Sequence, residues 1–217
     1  MELGTFSILA ASKDGRLMGV AVASGSTAVG SRVPHAMPNV GVVATQAYTN
    51  IAYGTEGLRL LASGLPPEQA LKRLLAEDPQ REMRQVAIMD FAGRKAVFTG
   101  ADVPKERGEI VGKNYIVIGN LLTSVRVLES MADCFEKTRG NFVLRLLEAL
   151  KAGRESGGDK RGVKSAAIMV VDKAKILISL RIDGNPSPIQ ELARRTLEQL
   201  NMAAETFKEG GKKFGVI

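Results

Sequence analysis

The chain is 217 residues long, 45% hydrophobic and 24% charged, a balance that fits one folded domain with a sizeable core and excludes extensive disorder. Its 30 Lys and Arg against 23 Asp and Glu give a formal charge of +7. The basic clusters at 151–154, 160–164 and 208–213 carry no interleaved aromatics, so a solvated basic surface is expected and nucleic acid is not an expected partner. No apolar run approaches the roughly 18 to 20 residues that span a bilayer. No charged-then-apolar leader opens the chain, so no membrane partner and a cytoplasmic address are expected. One cysteine, Cys134, and one histidine, His35, leave no disulfide, no cysteine-based metal cluster and no two-histidine metal site; neither metal nor cofactor is expected.

The chain opens on a hairpin. Residues 6–11 are apolar apart from Ser7, Asp14-Gly15 is a strong two-residue turn signal, and residues 16–24 return as a second small, apolar run. Near-continuous apolar strands indicate burial on both faces, hence a place in mid-sheet. Gly25 to Ser31 superficially resembles a phosphate loop but lacks the required lysine. A third strand follows over 39–46 and ends in the polar run Thr45, Gln46, Tyr48, Thr49 and Asn50. Helices are predicted over 55–63 and 67–77, the second opened by Pro67 and striped by Leu71, Leu74 and Leu75. A hairpin of strands at 85–90 and 95–100 comes next, then a polar loop over 102–113 and a strand over 115–120 that ends on Asn120. A second helix pair, 123–137 and 141–152, leads through a glycine-rich loop over 153–164 into a final hairpin at 165–172 and 176–181. The last helix is predicted over 188–207, with a frayed tail over 209–217 after a single domain spanning 1–208.

This order, strands in hairpins alternating with helix pairs, argues for an α+β protein with antiparallel sheets covered by helices rather than a parallel βαβ fold. Doubly buried first strands point further, to a four-layer αββα sandwich with two antiparallel sheets between helical layers.

Chemistry is suggested by Gly4-Thr5 at the head of the first strand. A threonine hydroxyl needs an adjacent base to act as a nucleophile, and a free α-amine, with a reference pKa of about 7.7 to 8.0, titrates near working pH. Cutting between these two residues would give Thr5 both groups; the plainer alternative is a β-branched residue starting a strand. Ser24 ends the partner strand, where it could relay a proton or be an ordinary strand-end hydroxyl. Asn50 and Asn120 are candidate oxyanion donors, with Gln46 beside them; Asn50 equally suits helix capping. In the glycine-rich loop, Asp159 could orient the freed amine, Arg161 could hold a substrate carboxylate by a bidentate pair, and Ser165 could complete the network. A glycine-shaped turn with an internal Asp-Arg pair explains the same residues. His35, between Pro34 and Pro38, is a weaker candidate for substrate contact.

Several stretches together resemble a known family: Thr5-Phe-Ser-Ile, Gly19-Val-Ala-Val-Ala-Ser24, Ala28-Val-Gly30, Val42-Val43-Ala-Thr-Gln46, Tyr53-Gly54, Gly119-Asn120, Gly157-Gly-Asp159-x-Arg161-Gly-x-x-Ser165-Ala-Ala, and the late Arg181-Ile-Asp183-Gly-Asn-Pro-Ser-Pro188. They resemble the domain of unknown function 1028, a family grouped by fold with the N-terminal-nucleophile (Ntn) hydrolases, over about residues 5–200. The resemblance implies an Ntn-type amidohydrolase acting on a small amide. Family members of this kind begin Met-Thr-Phe-Ser, whereas Glu2, Leu3 and Gly4 intervene here, so exposure of Thr5 would need self-cleavage after Gly4, similar to the Gly-Thr cut of proteasome β subunits. The acidic residue that such subunits carry on the second strand falls at Ala21, and no lysine marks the start of the third strand. The expected partner is a small-molecule substrate or ligand, and the expected assembly a homo-oligomer. The reading from a different class is a non-catalytic protein of the same fold that binds a ligand in the same cleft or serves as an assembly subunit.

Overall fold

A computed structural model describes the backbone of residues 4–212 and the side chains of residues 4–202. Strand β1 (Thr5–Ala11) pairs antiparallel with β2 (Met18–Ser24), and both are almost wholly buried. Their connection is longer than two residues. Gly15, at φ 67°, donates to the Ser12 carbonyl, and Asp14 accepts from Ser12 Oγ, Arg16 N and Arg16 Nε. These bonds close a loop over residues 12–17, so the Asp-Gly signal marks the reversal while side-chain bonding sets its length.

The first hairpin lies mid-sheet, as its burial predicts. β8 (Tyr115–Asn120) flanks β1, β9 (Ser165–Val171) flanks β2, and the six-stranded order is β10-β9-β2-β1-β8-β7, with β7 spanning Gly108–Val111 and β10 Ile176–Ile182. A second sheet has the order β3-β4-β5-β6, formed by Pro34–Met37, Gly41–Ala47, Arg84–Asp90 and Lys95–Thr99. Every pairing in both sheets is antiparallel.

Alternation along β1 divides the interior. Phe6, Ile8 and Ala10 pack with Met131, Phe135 and Leu146 of the helices α3 (Arg126–Lys137) and α4 (Phe142–Glu155), and with Ile189 and Leu192 of α5 (Pro188–Lys212). Leu9 on the opposite face meets Val42, Ala44 and Met89 of the smaller sheet. That sheet's outer face carries Val43 and Ile88 against Leu58, Leu61, Leu71 and Leu74 of α1 (Ala52–Ala62) and α2 (Pro67–Glu77). The layers are therefore helices, sheet, sheet, helices, with three cores between them. Each fully buried Phe or Leu contributes about 1.5–3 kcal/mol. Among the described residues no helix is long and apolar enough to cross a membrane.

Two strands escape the sequence reading. β3 sits between prolines on a sheet edge, where a missing N–H costs no ladder bond, and β7 is a four-residue, half-exposed edge strand without an apolar run. Helix ends shift for identifiable reasons. α1 begins at Ala52 rather than 55, because the Asn50 side chain accepts from Ala52 N and its carbonyl from Tyr53 N. α3 begins at Arg126 rather than 123, after Ser124 Oγ accepts from Arg126 N. α4 continues to Glu155 through Gly153, a position assigned to the loop from sequence. A Cβ there would lie 2.7 Å from Met131 Cγ, so the glycine admits the close approach of α3. α5 runs on to Lys212; the expected frayed tail thus includes helical residues 209–212, and 213–217 lie outside the described residues.

Candidate active site

Registers across the larger sheet place Thr5 opposite Ser24 on one side and opposite Asn120 on the other, with Ser24 opposite Ser165. Directly opposed residues of antiparallel strands share a face. Asn120, Thr5, Ser24 and Ser165 therefore form a polar row across four strands at one end of the space between the sheets. All four are buried; Thr5 is 4% exposed and the others 0%.

The centre of this row is a backbone atom. The Gly4 carbonyl oxygen accepts from Thr5 Oγ1 at 2.5 Å, Ser24 Oγ at 2.5 Å and Arg161 Nη2 at 2.9 Å. Thr5 Oγ1 also lies 3.2 Å from Ser24 Oγ, which in turn contacts Ser26 Oγ at 2.8 Å and accepts from Ser26 N at 3.1 Å. Arg32 Nη2 donates to Ser26 Oγ. These groups form a hydroxyl chain leading away from Thr5, and no group along it is a base at neutral pH.

Arg161 is placed by Asp159, which is 1% exposed. The Asp159 carboxylate accepts from Arg161 N (2.9 Å), Nε (3.0 Å) and Nη2 (2.7 Å) and from Gly25 N (2.7 Å). A buried carboxylate so bonded is compensated, and it fixes the guanidinium fork in one orientation. The loop that carries the pair is tied to the end of β8: Lys160 N donates to the Leu121 carbonyl, Thr123 N to that of Gly158, and Leu122 bridges to Asp159. Leu121 turns the chain at φ 50°, a left-handed conformation rarely adopted outside glycine and retained where surrounding structure over-determines it. The glycine-rich loop thus meets Thr5 through Gly4. Gly4 is itself confined, because a Cβ on it would lie 2.6 Å from Asp159 Oδ2.

Beneath the row lies an amide network. Gln46 accepts from Ser7 Oγ at 2.6 Å and donates to the Thr5 carbonyl at 3.3 Å and to Gln85 Oε1 at 2.8 Å. Gln85 Nε2 reaches the carbonyls of Gly108 and Gly119 and the hydroxyl of Thr99, while its Oε1 accepts from Asn120 Nδ2. Because its amine faces carbonyls, Gln85 fixes the Asn120 amide, whose buried Oδ1 has no partner. As oriented, Asn120 offers the row an unpartnered acceptor, while one of its two N–H donors is held by Gln85 Oε1.

The sequence candidates thus divide. Thr5, Ser24, Asp159, Arg161 and Ser165 converge: Ser165 Oγ donates to the Ser26 carbonyl and accepts from Val29 N, holding the loop after β2. Gln46 and Asn120 join from the side. Asn50 does not reach the row; its side chain caps Ala52 and its carbonyl accepts from Thr45 Oγ1. His35 stands on β3 with its ring against Gly54 of α1 and Nδ1 3.2 Å from the Val33 carbonyl, and burial lowers its pKa. Gln85 was not singled out from the sequence; its signal is an amide directly before the apolar run at 86–89, the counterpart of Gln46 near the end of β4. Among the described residues no cluster of three or more His, Cys, Asp or Glu side chains could hold a metal ion.

Two antiparallel sheets between helical layers, with a buried hydroxyl row at one end of the inter-sheet space, define an α+β sandwich protein. The model of the Family of unknown function (DUF1028) matches residues 5–192, and the chain belongs to that family. The crystal structure of protein SPO2555 from Silicibacter pomeroyi, assigned to the same family, is similar at 35% identity with a TM-score of 0.84, covering 90% of this chain and 85% of that one. Anbu, an ancestral beta-subunit from Yersinia bercovieri, aligns at 9% identity with a TM-score of 0.45 over 92% of this chain and 96% of its own. No curated protein matches the chain.

Proposed function

We propose that the protein is an Ntn-type amidohydrolase that cuts its own Gly4–Thr5 bond and then turns over a small amide with Thr5. The observation that carries this reading is the Gly4 carbonyl oxygen, on which three donors converge, the Thr5 hydroxyl among them. Addition of Thr5 Oγ to the Gly4 carbonyl carbon would collect negative charge on that oxygen, opposite Ser24 Oγ and the Arg161 guanidinium. Preorganised donors of this kind are the largest common source of acyl-transfer catalysis. Breaking the C–N bond leaves the Gly4 acyl group as an ester on Oγ, with the hydroxyl proton carried to the Thr5 nitrogen. Water then hydrolyses the ester, releasing residues 1–4 and a free α-amine. That amine supplies the base which the hydroxyl chain lacks. The place of the Gly4 carbonyl becomes the place of the substrate carbonyl, and Thr5, 4% exposed in the uncut chain, opens to it.

Intact mass of untagged protein is the test. A mass for residues 5–217 in the wild type, a full-length mass in Thr5→Ala and restored cutting in Thr5→Ser support the reading; a full-length wild type sinks it. A second reading, a ligand-binding protein without catalysis, is favoured by Ala21 standing where proteasome-like subunits place an acidic residue on the second strand. A full-length chain that still binds a small amide at this row is its expected outcome.

A further inference from the structure

At the far end of β1 from Thr5, about 20 Å along a seven-residue strand, the β1–β2 loop and the α3–α4 turn line a half-open pocket of about 310 Å³. Its polar lining is Ser12, Lys13, Asp14, Thr138, Arg139 and Arg145. Arg145 is the unusual member. It is 6% exposed, its Nη2 donates to the Phe135 carbonyl at 2.7 Å, its guanidinium lies 4.1 Å from the Phe135 ring centroid, and its buried Nε has no acceptor. Both partners carry only partial charge, the carbonyl at the negative C-terminal end of α3 and the ring through its face, and among the described residues no carboxylate pairs with it. A buried cation is ordinarily kept by an opposite charge. Burial and the neighbouring Arg139 both lower its pKa.

The other groups do not compensate it. Asp14 is the one acid in the lining, and its carboxylate is held by Ser12 Oγ and Arg16 Nε, each at 2.6 Å, and by Arg16 N. Lys13 and Arg139 are exposed and add two further positive charges at the rim. α4 begins beside this wall, where Phe142 lines the pocket, but Asn141 already accepts from Val143 N and Leu144 N, so the pocket's positive charge comes from its side chains. Three cations around one paired acid, one of them a buried guanidinium with no carboxylate partner, are complementary to a compact dianion.

We infer that this cavity is a binding site for a small phosphate-bearing anion, seated against Arg145 and closed by Lys13 and Arg139. Its volume of about 310 Å³ accommodates a phosphate with a modest organic group, a size that favours a small ligand over a nucleic-acid strand. The site is separate from Thr5 and stands whether or not Thr5 is a nucleophile.

Calorimetric titration of the full chain with inorganic phosphate, at ionic strength held constant with sodium chloride, tests it. The wild type is expected to bind one phosphate per chain, and the exposed double variant Lys13→Gln, Arg139→Gln to bind at least tenfold more weakly with an unchanged melting temperature. Arg145→Gln should abolish binding, with circular dichroism checking the fold. A parallel titration with adenosine monophosphate separates the sources: tighter binding than phosphate assigns an organic phosphate, weaker binding assigns the free ion. No saturable heat with either anion overturns the inference. So does an affinity that the double variant leaves unchanged, or binding confined to a single-stranded oligonucleotide.

Discussion

Gly4→Ala is the substitution that most directly tests the arrangement around the candidate scissile bond. The added Cβ would lie 2.6, 2.7 and 2.8 Å from Asp159 Oδ2, Cγ and Oδ1, whereas ordinary contact begins near 3.4 Å. Something must therefore move by most of an ångström. Asp159 is a poor candidate for yielding, since four hydrogen bonds from Gly25 and Arg161 hold its carboxylate. Either the carboxylate gives way and Arg161 loses its support, or Gly4 shifts and its carbonyl leaves Ser24 and Arg161. Loss of one oxyanion donor costs roughly 10²–10³ in rate, about 2.7–4 kcal/mol, and displacement by about 1 Å costs about as much as the lower end of that range. Cutting at Gly4–Thr5 is thus expected to slow by about two to three orders of magnitude. The assay is a time course of intact mass on freshly synthesised chain, with circular dichroism and melting temperature confirming the fold. Cutting of Gly4→Ala at the wild-type rate would refute the argument that the Asp159–Arg161 pair organises the carbonyl.

Two further expectations concern stability. Asp78, buried with Arg84 at 2.8 Å and accepting from Tyr53 Oη at 3.0 Å, has its pKa lowered from 3.8 to about 2, chiefly by the Arg84 hydrogen bond. A pKa lower in the folded than in the unfolded state adds stability that is present above the unfolded value and is lost as pH falls through the folded one. About 2 kcal/mol should therefore disappear between about pH 4 and pH 2. Urea midpoints across that window should fall in the wild type, and an Asp78→Asn variant with the same slope would contradict the assignment. Phe6, fully buried between β1, Gly153 and Met131, should cost about 3–5 kcal/mol when replaced by Ala; a loss below about 1 kcal/mol would show that this core is not close-packed.

Much of the fold was legible in the chain itself. Apolar runs bounded by turn residues located β1, β2, β8, β9 and β10 to within two residues, and Pro67 with the stripe of Leu71 and Leu74 located α2 at its observed bounds. These signals are local, because burial on one or both faces leaves its period in the residues that are buried. Short edge strands leave none: β3 and β7 are four residues long, face solvent on part of their surface and take their pairing from neighbours, whereas the longer edge strands β6 and β10 are marked as second arms of hairpins. Polar strand ends at Thr5, Ser24, Asn120 and Ser165 could be picked out singly, since a polar residue closing an apolar run needs a partner. That they share one row follows from the strand order β8-β1-β2-β9, which joins segments more than a hundred residues apart. Gln85, the centre of the amide network, came only from the stacking of the smaller sheet on the larger one, and the docking of Asp159 and Arg161 on Gly4 only from the fold of the glycine-rich loop. Sequence determined which segments are buried, and where each ends. Tertiary structure decided which ends meet, because strand pairing is chosen by the burial of whole faces and edges and not by the residues of any one strand.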